Sequence, residues 1–501
     1  MGALRCAAVV TLAAVAAAAQ VREQVTVELI EVPVYVIGPG GQPLRGLTKE
    51  AFELRVNRRL QAIEYFDAID FSAPVPKTAT ERPRRERRLY LLLFDRANSM
   101  PGFLARAQRA AENAVANSSP ETDLFAVATY TANNGVQFAA PFLSDRLAIR
   151  RAIQTLSMGQ IGDPLGVAIS PTERADLMAA APEQKSDDKF NNPELEAMLH
   201  GGAAMQEMQA QQQKYAIEDL LGNFGDLARR LAGLEGQKHV LYFSTGFRSS
   251  MVHGGMSPVP SGAMGSGGID ARSSRILEEM FRQFRAAGVF LDAVDIAGLR
   301  PTAAKLDPYE NDSLQLMAHG TGGEFVHNRA DLGNALNELN SAQQVVYILA
   351  FRRGDRRDGS IDVRVNGVPR GTRLSFRQGF SAPTRGTNVD PLELADILTN
   401  DIPQSGFDLK VNTSATEVSV DVPREQIISL GGDNSVVEVL LYVFDAQGSV
   451  VLARGRKLRP DAPMAFRSSL DVPRGHYVAK AVARLAGTAA LGYARKEFNV
   501  P

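Results

Sequence analysis

The sequence predicts an α/β fold: a doubly wound, mostly parallel sheet flanked by β segments and followed by a C-terminal β-sandwich. Three observations carry this. "LYLLLFD" (89–95) and "HVLYFST" (239–245) are continuous apolar runs of the kind buried on both faces of a parallel sheet, with helical stretches around them. Residues 25–70 alternate in the strand period, as do "SIDVRV" and "TRLSFRQGF" after Phe351. The last hundred residues return to short alternating strands, "FDLKVNT" to "YARKEFNV", with a hairpin turn at Asp445-Ala446-Gln447-Gly448.

The elements read in order as follows. "MGALRCAAVVTLAAVAAAAQ" has one Arg, an apolar stretch and a small-residue end at Ala17-Ala18-Ala19, the layout of a secretory signal over residues 1–19. Its apolar core is shorter than the roughly 20 residues needed to span a bilayer, and no later stretch reaches that length. A β unit is expected over 20–75, with "VTVELIEVPVYVIG", a "GPGGQP" turn, "FELRVN" and "IEYFDAI". "SAPVPKTATERPRRERR" reads as a solvated linker (76–88) rather than a binding site for an acidic partner.

The α/β region is placed at 89–352. It contains helices over 103–117, from Ser144-Asp145, over 274–287, near Ser313 and from Asp331, with strands "DLFAVATYT", "VQFAAPF", "VFLDAVDI", "EFVHN" and "VVYILAF". Two insertions interrupt it: polar residues 157–192, leading into a Met/Gln/Ala-rich helix, and a Gly/Ser/Pro-rich loop at 250–270, read as mobile. Strands at 353–382, a linker with a helical turn at 383–400 and an Ig-like seven-strand sandwich at 401–501 complete the chain. Matching strand patterns on either side suggest that 20–75 pairs with 353–382, which makes the α/β region an insertion into one β module.

Composition bounds the function. With 55 basic and 56 acidic residues the net charge is -1, so no global field favours nucleic acid or an anionic membrane. The one cysteine, Cys6, lies in the leader, which leaves the mature chain without disulfides, a thiol nucleophile or a thiolate metal site. The expected location is exported, periplasmic or extracellular.

In an open α/β sheet, ligands bind beyond the carboxyl ends of the strands where the strand order reverses. Asp95 and Ser99 follow one apolar strand; Ser244, Thr245 and Gly246 follow another. Neighbouring positions at the reversal would make both oxygen-bearing loops face one crevice.

"LLLFDRANSM" resembles the opening "DxSxS" stretch of von Willebrand factor type A domains, and "HVLYFSTGF" sits where those domains often have "SDG". The surroundings are similar to the von Willebrand factor A-related secreted proteins of Acidobacteria: "GQPLRGLTKEAFELRVN", "GQKHVLYFSTGF", "HGTGGEFVHNRADLGNALNEL" and "VVYILAFRR…LSFRQGF" occur in order across residues 25–382. The resemblance implies a doubly wound domain with a metal-ion-dependent adhesion site used for protein binding. Such a site holds Mg²⁺ or another divalent cation through hydroxyl and carboxylate oxygens, with a partner's acidic group completing the shell. Asp95, Ser99 and Thr245 occupy the ligand positions here. The middle serine is replaced by Ala97, and Thr245 stands where the later aspartate is expected, so one ligand and one full charge are lost. The competing reading has Asp95 capping the next helix or hydrogen-bonding within its loop. Recognition then needs no metal and uses the strand-end loops, with Arg96, Asn98, Phe247 and Arg248 as candidate partner contacts.

Enzyme motifs are missing their parts. A haloacid-dehalogenase phosphatase site wants a second Asp where Ala97 stands. The six histidines form no HExxH or paired metal spacing, "TGFRSSMVHGG" lacks a GxSxG elbow, and "HGTGGEF" lacks the Lys and Ser/Thr of a phosphate loop. Its glycines read as a helix-to-strand turn. Asp292 and Asp295 point to opposite faces of one strand and form no dyad. The expectation is a non-catalytic, adhesion-type protein-binding chain with a protein ligand, no nucleic acid and no transmembrane span; a structural envelope scaffold without metal is the alternative, and a hydrolase comes last.

Overall fold

The computed structural model describes residues 29–73, 86–119, 121–156, 197–247, 271–299, 312–382, 389–414, 416–461 and 463–501, with the side chains of 197–210 excepted. The leader (1–19), most of the expected linker at 76–88, the insertions at 157–192 and 250–270, and Arg248 lie outside these residues. No helix among the described residues is long and apolar enough to cross a membrane.

Four strands come first: β1 (Leu29–Ile37), β2 (Phe52–Val56), β3 (Arg59–Leu60) and β4 (Tyr65–Asp70). The α/β region follows, with β5 (Arg88–Asp95), α1 (Pro101–Ala116), β6 (Asp123–Thr131), β7 (Gly135–Leu143) and α2 (Arg146–Thr155). It continues through α3 (Ala197–Leu231), β8 (Gln237–Ser244), α4 (Ala271–Ala287), β9 (Val289–Asp295), α5 (Asp312–Thr321), β10 (Phe325–Val326) and α6 (Leu332–Ala342).

These strands form one six-stranded sheet ordered β10-β9-β8-β5-β6-β7. All neighbours are parallel except the β6–β7 pair. Only Ala132–Asn134 separate β6 from β7, too few residues for the crossover that a parallel return needs. Strand order therefore runs outward from β5 in one direction and then outward from β8 in the other, a doubly wound arrangement. The pleat sorts the core. Leu89, Leu91 and Leu93 pack on one face with side chains of α3, α4 and α5. Tyr90, Leu92 and Phe94 pack on the other with α1, α2 and α6. All eight residues of β5 are buried, which is why the run reads as continuously apolar. Asp145 caps α2 by accepting from Leu147 N and Ala148 N, and Asp331 caps α6 by accepting from Asn334 N. The glycines of "HGTGGEF" turn the chain from α5 into β10: Gly322 has φ 86°, and a Cβ there would meet Phe376 O.

Next come β11 (Val345–Arg352), β12 (Asp358–Val365), β13 (Arg373–Phe376) and β14 (Gly379–Ser381). They complete two antiparallel sheets with the first strands, ordered β13-β1-β11-β4 and β14-β12-β2-β3. Strands from the two ends of the α/β region are thus interleaved, and one core joins them through Val32, Val34, Leu54, Tyr347, Phe351 and Val363. "VVYILAF" departs from its sequence-based place. It lies antiparallel between β1 and β4 rather than in the parallel sheet. Val345, Tyr347, Leu349 and Phe351 face the β-module core, while Val346 and Ile348 meet Phe290 and Ala342 of the α/β region. A strand buried on both faces looks alike in either sheet.

The rest comprises α7 (Pro391–Thr399), β15 (Lys410–Thr413), β16 (Glu417–Asp421), α8 (Arg424–Gly431), β17 (Val437–Asp445), β18 (Val450–Leu458), β19 (Ala465–Ser469), β20 (Gly475–Leu485) and β21 (Leu491–Val500). The strands form antiparallel sheets ordered β15-β16-β19 and β18-β17-β20-β21, whose facing apolar side chains share one core. The expected linker at 383–400 contains a packed helix. Leu394, Ile397 and Leu398 of α7 cover the other face of the four-stranded sheet, and Leu392 enters the α/β core. Arg87 fixes the junction with a two-pronged contact to Asp396, at 3.2 and 3.0 Å.

Candidate functional site at the strand-order reversal

β5 and β8 are hydrogen-bonded neighbours at the point where the order reverses. Their carboxyl ends carry the two loops singled out in the sequence, and those loops touch. Thr245 N donates to Ser99 Oγ at 3.3 Å, and Thr245 Oγ1 donates to Asn98 O. Asp95, Ser99 and Thr245 thus converge, together with Asn98.

Asp95 is fully buried. Its Oδ1 accepts from Ala97 N (3.0 Å) and Asn98 N (2.9 Å). Its Oδ2 accepts from Asn98 Nδ2 (3.1 Å), Tyr242 Oη (2.5 Å) and Ser244 Oγ (2.7 Å). Ser244 is itself oriented by Gly246 N, which donates to its Oγ at 2.9 Å. Burial, reinforced by the adjacent Asp95 carboxylate, holds the Tyr242 phenol well above its ordinary value, so it stays a donor. Five donors crowd the roughly four lone-pair sites that two carboxylate oxygens offer, so none is left over. Asp95 does not cap α1, whose N-cap is Met100 with no side-chain bond; it ties its own loop and two side chains of β8 together.

The donor set is a poor fit to the divalent cation that the family resemblance implies. Asp95 is the one carboxylate in it and both of its oxygens face protein donors; Ala97 brings no side-chain oxygen; Thr245 supplies only a neutral hydroxyl where a second carboxylate is expected. Among the described residues no group of three or more His, Cys, Asp or Glu is placed to hold a metal ion.

Of the candidate partner contacts, Arg96 is exposed, while Asn98 and Phe247 are half-buried. Phe247 N is anchored by Ser313 Oγ at 2.9 Å, linking this loop to the start of α5. Two apolar residues on neighbouring loops are also exposed, Met100 (67%) and Leu299 (61%). Leu299 follows β9, the next strand after β8, and no motif marked it. Among the described residues, the exposed and half-buried surface at this end includes the Arg96 cation, apolar side chains and the Asn98 amide, with half-buried Arg106 beside Gly298.

A second polar cluster escaped the sequence reading. His239, in the middle of β8, lies between Tyr35 Oη (2.8 Å from Nε2) and Asp292 Oδ2 (2.8 Å from Nδ1), all buried. Asp292 also accepts from Glu324 N (2.8 Å) and Gln343 Nε2 (3.0 Å). Asp295 accepts from Ala297 N at 3.0 Å, a donor that Asp292 does not share. The His239 cluster sits under β1 and sutures two modules.

No protein-family profile matches the chain, and no curated protein does. Among solved structures, it is similar to manganese-loaded TRAP protein from Plasmodium vivax (11% identity, TM-score 0.23, covering 62% of this chain and 96% of that one). It is similar to an aerotolerance-related membrane protein from Bacteroides fragilis (12% identity, TM-score 0.25, 51% and 98% covered). A third is the ArnB paralog VWA2 from Sulfolobus acidocaldarius (8% identity, TM-score 0.20, 95% and 75% covered). The superpositions are loose, and the class of the domain rests on its own strand order and on the helices covering both faces of the sheet.

Proposed function

We propose that this chain is an exported, non-catalytic, adhesion-type protein whose von Willebrand factor A-like domain recognises a protein partner without a metal ion. The observation that carries the reading is the Asp95 carboxylate. At the position where adhesion sites of this type hold their cation, it is turned inward onto five hydrogen-bond donors. The site is a degenerate adhesion site whose metal-binding chemistry has become loop-fixing chemistry. Recognition falls to what stands outside that knot: Arg96, Asn98, Phe247, Met100 and Leu299. Arg96 supplies charge for an acidic group of the partner that would otherwise meet a cation. The leader-like residues 1–19 support export.

Calorimetric titration of the protein and of Asp95→Ala with Mg²⁺, Mn²⁺ and Ca²⁺ tests the metal-free mechanism. No cation-binding heat at millimolar concentration is expected from either. Millimolar or tighter binding by the native chain that the variant loses would put a cation back into the mechanism. A photo-crosslinking residue placed at Arg96, compared with one at Glu279 on α4, tests the binding face. Adducts specific to Arg96 are expected; equal labelling at both would leave a structural scaffold.

A further inference from the structure

A cavity of about 680 Å³ opens between the α/β region and the C-terminal sheets, away from the strand-end loops. One wall is α2 and the end of β7; the other is the turn between β17 and β18, with β20 and β21 behind it. Its floor is apolar, built from Leu143, Ala148, Phe444 and Val478. Three cations line it. Lys480 lies over the Phe444 ring at 5.1 Å and pairs with Asp401 at 2.7 Å. Arg495 shares that carboxylate at 3.6 Å and meets Glu497 at 2.5 Å. Arg151, exposed on α2, has no carboxylate partner among the described residues.

The two lining carboxylates are already engaged by backbone. Asp145 accepts from Leu147 N and Ala148 N at the start of α2, where the helix dipole also offsets its charge. Asp445 accepts from Gln447 N and Ser449 N within its own turn. An apolar floor of this volume, between two modules and edged by a guanidinium with no carboxylate partner among the described residues, suits an amphiphilic anion. We infer that the cavity binds a small organic anion with an apolar body, an aryl or medium-chain acyl carboxylate or sulfonate, its body against Phe444 and its charge towards Arg151. This site is independent of the strand-end face.

Fluorescence titration of the full chain with anilinonaphthalene sulfonate tests this. Saturable binding of one probe per chain is expected, displaced by octanoate and far less by octan-1-ol. Arg151→Ala, at an exposed position that the fold does not need, is expected to weaken the probe about three- to fivefold, the size of a solvent-screened ion pair. Ala148→Phe, which fills the cavity from a half-buried position, is expected to abolish binding while circular dichroism stays native. Unchanged affinity in either variant, or equal displacement by octan-1-ol, would overturn the assignment.

Discussion

The Tyr35 hydroxyl, on the first strand of the β module, lies 2.8 Å from Nε2 of His239 in the middle of the parallel sheet. A carboxylate only accepts, so the 2.8 Å contact to Asp292 puts a hydrogen on His239 Nδ1. In the neutral ring Nε2 then accepts from Tyr35. The two modules are thereby joined by a directional bond within apolar packing that includes Phe290. Tyr35→Phe is expected to cost about 1–3 kcal/mol, because it leaves a buried acceptor unmet. A double-mutant cycle between Tyr35→Phe and His239→Phe in urea denaturation should give a coupling of about 0.5–3 kcal/mol. Strict additivity would show that the contact does not couple the modules.

Asp95→Asn keeps the size of the side chain but removes its charge and puts an amide donor among donors. Tyr242 Oη, Ser244 Oγ and two backbone N–H groups then compete for one carbonyl oxygen. A loss of at least about 2 kcal/mol is expected, since bonds to a charged acceptor contribute about 1.5–3 each. The urea midpoint should fall by the same amount with and without Mg²⁺. A native midpoint that Mg²⁺ raises, through binding to the folded state alone, would contradict a carboxylate committed to protein donors.

How much of this was legible follows from what each residue's neighbours in sequence disclose. "LYLLLFD" announces a doubly buried strand because both of its faces are core, and Asp95 stands out as the polar residue that ends it. Tyr242 and His239 sit inside a second such run, where an apolar body hides a polar tip; their partners are 147 and 53 residues away. α8 buries only Ile427 and so carries no apolar stripe to read. "VVYILAF" was legible as a strand but not as to which sheet, since that choice is made by β1 and β4, whose paired residues lie far earlier in the chain, as in Val345 with Asp70 and Arg352 with Leu29.

Alkaline titration should separate the tyrosines. Burial raises the phenol pKa of Tyr35, Tyr90, Tyr130 and Tyr242 above the ordinary value of 10.0, and the Asp95 carboxylate adds to the effect at Tyr242. The folded state therefore keeps protons that the unfolded chain releases once pH exceeds about 10. The stability these groups contribute is fully present below that pH and is lost as pH rises towards the folded values. Tyrosinate absorbance should show a first set ionising normally and a second appearing only together with loss of the far-ultraviolet circular dichroism signal. A single smooth titration with the fold intact would contradict the burial of these hydroxyls.

Arg88 and Asp123 form a fully buried ion pair, with side chains 2% and 0% exposed and bonds of 2.7 and 2.8 Å. The guanidinium also donates to the carbonyls of Asn340 and Gln343 and lies over the Phe71 ring at 5.1 Å, so it links β5, β6, the end of α6 and the β module. Burying two charges costs several kcal/mol each in lost hydration, and their attraction repays that only while both are present. Arg88→Met should therefore cost about 3–5 kcal/mol, chiefly by stranding the Asp123 charge. Adding Asp123→Asn removes that charge, keeps one acceptor oxygen for Ser119 N (3.1 Å) and turns an amide NH2 towards Thr122 Oγ1 (2.9 Å), whose hydroxyl can accept from it. The double variant is thus expected to be more stable than Arg88→Met alone in urea denaturation. A double variant less stable than the single one would mean that packing and the carbonyl contacts of Arg88, rather than charge pairing, hold this junction.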